Sequence, residues 1–275
     1  MSTVVIFRAP HVMIAIGLMV TFFGNASASP NTVTVQSGRP VAEAIQELEK
    51  RYGWQITYED PPYVHYSDIT NVRDTDWPGV PVQSLSQLQS LKGSKSTLVP
   101  KGGSLTFTLP SAEPDELGAV EALLKSYNES HRGFEFAVVQ GAGLLHVLPR
   151  KARGLSGNLE PVKPVLDAPI TIEPKERTSE ALIEEVCNKV SIATNTHVEM
   201  GTISFNMLTR TKTSVGGSGR TARSILEQWI LERRAGLSCW LLYEPDEKDY
   251  ALNVSQVAPV KTLILLPRPL PAGKP

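Results

Sequence analysis

The chain has 275 residues, 41% hydrophobic and 20% charged, with a formal net charge of -1. This composition suits a globular protein with room for two small domains, and it leaves no basic excess to hold nucleic acid. Two cysteines are too few for a disulfide scaffold, so packing must carry the fold.

The N-terminus differs from the rest. Arg8 precedes an apolar run from Val12 to Phe23, and Ala26-Ser27-Ala28 follows as a small-x-small cleavage pattern. This predicts a signal peptide over 1–28, cut after Ala28. The run falls short of the about 20 residues a membrane span needs, and no later stretch is apolar enough to span a bilayer. No cysteine lies near the cleavage site to take a lipid. The expected location is periplasmic or secreted.

Thr32 to Val35 alternates as a strand. Pro40 sits at a helix start, and Val41, Ala44, Ile45, Leu48 and Tyr52 mark one helical face. Gly53 ends it, and Trp54, Ile56 and Tyr58 alternate as a strand. The stretch 59–103 reads as a long irregular insert, rich in proline and glycine. Its aromatic and acidic residues predict a binding surface at Tyr58, Tyr63, His65, Tyr66 and Trp77, although such aromatics more often pin a loop to the core. Leu105, Phe107 and Leu109 form the next strand. Val120, Leu123, Leu124 and Tyr127 line a second helix, and Phe134–Val147 reads as a hairpin.

Residues 151–168 read as a linker. The second half then repeats the order. Ile170 and Ile172 mark a strand, Leu182, Ile183, Val186, Cys187 and Val190 a helix, Asn195 its left-handed cap, and Val198 and Met200 a strand. A weak strand is expected at Lys212 to Val215, followed by a glycine-rich loop through Gly219. Ala222, Ile225, Leu226, Trp229 and Ile230 share the last helical face. Leu237 to Tyr243 and Tyr250 to Val254 form a closing hairpin, and 259–275 is a Pro-rich tail.

Arg39 to Asp60 (RPVAEAIQELEKRYGWQITYED) resembles the first β-α-β of the short N-terminal (STN-like) domain of secretins and TonB-dependent receptors. Ala119 to Pro149 resembles its helix-plus-hairpin part. SEALIEEVCNKVSIATNTHVEM and TARSILEQWILERRAGLSCWLLY repeat both parts in the second half. The order of elements and the length predict an α+β fold of two tandem modules, 29–150 and 169–258, each β-α-β plus (β)-α-β-β with its own core. The resemblance makes each module STN-like. It also implies a periplasmic, non-enzymatic module that contacts another envelope protein. The family's barrel or ring does not follow here, so a pore role is not carried over.

No catalytic or metal motif competes with this reading. The histidines show no zinc spacing, no G-x-S-x-G elbow occurs, and Val215-Gly216-Gly217-Ser218-Gly219 lacks the lysine of a phosphate loop. No catalytic residue, metal site or cofactor is expected. Cys187 and Cys239 are left open between a disulfide and two buried thiols. The expected function is protein interaction, through sheet edges by strand addition or through the insert. The alternatives are a small-ligand or glycan-binding protein using a cleft between modules, and an enzyme whose polar pocket the sequence does not announce.

Overall fold

The computed structural model describes residues 31–73, 80–81, 96–203 and 211–257. The predicted signal peptide, Trp77 and the Pro-rich tail lie outside them. The fold is α+β. Strand β1 (Thr32–Ser37) leads to helix α1 (Pro40–Tyr52) and strand β2 (Ile56–Glu59). Pro40 occupies the first turn of α1, where no intrahelical N–H is lost. Val41, Ala44, Ile45 and Leu48 are fully buried. Gly53 closes the helix at φ 71, a conformation glycine adopts without Cβ strain.

The insert is more regular than its composition predicts. A 3-10 turn (Tyr66–Asp68) leads into β3 (Ile69–Arg73), which pairs with β4 (Val80–Pro81) on one side and β5 (Ser96–Pro100) on the other. Next come β6 (Gly103–Thr108), helix α2 (Glu116–Ser130), β7 (Phe134–Gln140) and β8 (Leu145–Arg153). Asp115 caps α2 by accepting from the Gly118 N–H at 2.8 Å.

The expected linker is also structured. β8 runs to Arg153, β9 (Leu159–Pro161) pairs with it, and a 3-10 turn (Val165–Asp167) buries Leu166. The second half comprises β10 (Pro169–Ile172), β11 (Arg177–Thr178), helix α3 (Ser179–Thr194), β12 (Val198–Ile203), β13 (Lys212–Thr213), β14 (Gly217–Thr221), helix α4 (Ala222–Arg233), β15 (Leu237–Glu244) and β16 (Asp249–Gln256). Asn195 takes the left-handed cap of α3 at φ 52, as predicted. Gly236 has positive φ, but Arg234 is the left-handed residue that caps α4.

The predicted weak strand is present as the two-residue β13, paired with β11, whereas the predicted glycine-rich loop is in part a strand. The strand antiparallel to β10 is β14, inside the glycine-rich stretch itself. A Cβ on Gly216 would meet the Ile172 carbonyl oxygen at 2.6 Å, so that backbone can lie this close only without a side chain. Thr221 caps α4, accepting from the Ser224 N–H at 3.2 Å.

The halves do not form separate cores. One sheet runs in the order β12-β16-β15-β2-β8-β7, with β9 added beside β8. β2 is parallel to β8, and β7 is antiparallel to β8. β12 is parallel to β16, and β15 is antiparallel to β16. The trios join where β15 pairs in parallel with β2. Strand directions are reversed between the trios while their lateral order is kept, so their helices fall on opposite faces. Ile56 and Tyr58 face α1 and α2, and Thr57 and Glu59 face α4. Outside the helices lie two ribbons, β1 with β6 and β10 with β14. Buried residues of both halves form one continuous cluster, so a single core replaces the two expected. No helix among the described residues is long and apolar enough to cross a membrane.

Candidate functional site

β2 is buried on every position, because both its faces are covered. A polar residue there must find a protein partner. On the α1/α2 face, Asp60 is 0% exposed. It accepts from Arg39 Nε at 2.6 Å, the Tyr58 hydroxyl at 2.7 Å, the Tyr63 hydroxyl at 3.1 Å and the Tyr243 N–H at 3.0 Å. Arg39 also donates to the Tyr243 carbonyl at 2.6 Å. Asp60 thereby ties the insert and the start of α1 to β15 in the other half.

On the α4 face, Glu59 is also 0% exposed and takes Arg223 Nη2 at 2.5 Å and the Val165 N–H. Arg223 Nε reaches Asp167 at 2.9 Å. Burial raises the Glu59 carboxyl, and Arg223 offsets part of that rise. Nearby, His146 Nδ1 lies 2.6 Å from Thr57 Oγ1, and Nε2 lies 3.6 Å from Glu227. Burial, and then Arg223, push the imidazole down, and Glu227 offsets part of that fall. Glu227 accepts from the Gly143 and Leu144 N–H groups at 3.0 and 3.2 Å. These networks knit the halves together and touch little solvent.

The open feature is a groove of about 860 Å³ beside β7. Its walls are His65, Tyr66 and Ser67 of the insert, Asn128, His131 and Arg132 at the end of α2, Phe134 and Glu135 of β7, and Arg153, Gly157, Asn158 and Leu159 at the β8–β9 turn. The His65 ring lies tilted against Tyr66, with ring centroids 4.3 Å apart. Arg153 pairs with Asp68 at 2.9 Å and bonds Ser67 Oγ. Arg132 is exposed, and no described residue pairs with it. Leu159, which lines the groove, is 44% exposed. The groove therefore offers free positive charge, aromatic and imidazole edges, and apolar contacts.

His65 Nδ1 and Ser67 Oγ are 2.7 Å apart. This is local capping: the same nitrogen accepts the Ser67 N–H at 3.2 Å, and Arg153 occupies the hydroxyl. His131 has Ser130 Oγ at 2.9 Å from Nδ1 and stacks on Tyr127 at 4.4 Å.

The structure divides the sequence candidates. Tyr58 and Tyr63 are core residues with hydroxyls on Asp60, so they offer no exposed binding surface. His65 and Tyr66 line the groove. Trp77 lies outside the described residues. Sequence reasoning missed His131, Arg132 and Arg153, which have no local motif and meet only through the fold. Cys187 and Cys239 are free, buried thiols rather than a disulfide. Burial pushes both up to about 12. Glu199, Glu247 and Asp249 bring carboxylate oxygens within 4.8 Å of one another, and His197 Nδ1 lies 3.1 Å from Asp249. A hard cation could find oxygen ligands there, but exposed acidic groups gather in this way without one. No family model matches the chain, and no curated protein or solved structure matches it.

Proposed function

We propose that this chain is an exported, non-catalytic interaction module of the cell envelope, made of two tandem STN-like units fused through one sheet. The matched strand pairing of the halves supports two copies of one unit. The observation that carries the binding role is the groove beside β7, with Arg132 free and Leu159 exposed in its wall. It fits an extended acidic segment of a partner protein, with an apolar side chain against Leu159. Such a segment gains little from Tyr58 or Tyr63, which are sealed in the core. Their burial also argues against a glycan platform on the insert. The continuous sheet argues against a ligand cleft between the units.

The test is a crosslinking pull-down of the mature protein from its own envelope, beside Arg132→Glu and Tyr66→Ala variants. A defined partner captured by the wild type and lost in both variants supports the reading. A partner held equally by all three, or none captured by the wild type, overturns it.

A further inference from the structure

The two strands that meet at the join between the halves are the counterparts of the sheet's two outer strands. Inside the chain, β15 lies parallel to β2, with Trp240 opposite Tyr58 and Leu241 opposite Glu59. The Asp60 N–H donates to the Leu241 carbonyl at 2.8 Å. By the matched pairing, β15 is the counterpart of β7, and β2 is the counterpart of β12. β7 and β12 are the two ends of the sheet, and no strand pairs with their outer sides among the described residues. They run in the same direction. A second copy in the same orientation could therefore bring its β12 beside β7 as a parallel neighbour, as β2 lies beside β15.

The edges are partly fenced, and the fences match. The Asn128 side chain takes both the N–H and the carbonyl of Phe136, at 3.0 and 2.9 Å. Ser191 does the same for Val198, at 2.9 and 3.2 Å. Such devices shorten a free edge. The inner join carries a fence too, yet it is paired. Glu49, seven residues before Ile56, accepts its N–H at 3.4 Å, just as Ser191 stands seven residues before Val198. Pairing there begins at Tyr58, two residues past the fence. The corresponding free positions are Val138 on β7 and Met200 on β12, because alternate strand residues point their backbone groups the same way.

We infer that copies of this chain associate edge to edge, β7 of one pairing in parallel with β12 of the next through Val138 and Met200. The inference rests on reading the halves as two copies of one unit, and it is independent of the groove. The contact is heterologous, so it extends in a line rather than closing at a dimer. It is also weak. Thr202 stands where Asp60 would be, but its N–H already donates to Asn253 Oδ1 at 2.8 Å and β12 shifts register between Met200 and Ile203. The Asp60–Leu241 bond of the inner join therefore has no counterpart there. Ala181 stands where Arg39 would be, so no buried network reinforces the contact.

Sedimentation velocity of the mature protein from about 10 μM to about 1 mM reads this directly, in the range where small transient interfaces associate. The wild type should sediment progressively faster with concentration, without a plateau at two copies. Val138→Pro and Met200→Pro each remove an outward N–H, a place where an edge strand tolerates proline, and each should remain monomeric. Mixed together, they should form a 1:1 pair that grows no further, since each keeps one intact edge. Circular dichroism establishes that the variants are folded, and Gln140→Pro serves on the β7 edge if Val138→Pro is not. A wild type that stays monomeric, or stops at a dimer, overturns the inference whatever the variants do. So does growth that either folded proline variant leaves unchanged.

Discussion

Glu49 gives the sharpest prediction, because its charge is set by the seam between the halves. It lies on α1, is 5% exposed, and faces Ile56, with Ser238 of the other half as a further hydrogen-bond partner. Burial raises its carboxyl from 4.5 to about 7. Between those values the folded protein holds a proton that the unfolded chain has released. Stability from this group is therefore complete below about pH 4.5 and falls as pH rises through about 7. The change corresponds to about 3 kcal/mol. Glu49→Gln resembles the protonated acid and does not titrate. Its amide oxygen can accept the Ile56 N–H, and its NH2 can donate to Ser238. Urea unfolding of both proteins at pH 4.5, 6 and 8.5 tests this, since all other titrating groups cancel in the difference. The two should match at pH 4.5, and the variant should be more stable by about 3 kcal/mol at pH 8.5. A pH-independent difference between them would refute the argument.

Three further outcomes follow from the buried networks. Arg223→Ala strands the Glu59 carboxylate at 0% exposure and should cost about 3–5 kcal/mol in urea unfolding. Adding Glu59→Gln should recover part of that loss. A Cβ on Gly141 would overlap Glu227 Oε1 and His146 Nε2, so Gly141→Ala should lower stability by about 1–3 kcal/mol, read as a drop in Tm. Cys187 and Cys239 should resist a thiol reagent in the folded protein, and both should react in denaturant. Finding no thiol in denaturant would mean that the two are bonded.

The helices were legible in the sequence because their signals are local. Pro40, Gly53 and the buried faces of α1 lie within 14 residues, and Asn195 ends α3 as its type predicts. β2 misled because alternation normally marks one wet face. Thr57 and Glu59 look solvent-facing, yet their partners His146 and Arg223 lie 89 and 164 residues away. The glycine-rich stretch at β14 carries no strand signal because its pairing with β10 depends on backbone approach, not on side chains. The groove drew on three segments that share no spacing, so only His65 and Tyr66 could be singled out beforehand. The single core was hidden for the same reason: two strands paired in the β15–β2 join leave no periodicity that names the partner.

The claim on which the rest depends is that both halves fold as one sheet across that join. Hydrogen exchange followed peptide by peptide along a urea series measures it directly. Peptides covering α1–β2, β7–β8, α4 and β15–β16 should all lose protection in one transition, with the same midpoint and the same slope. Two separated transitions, one for 31–153 and one for 169–257, would contradict the shared core.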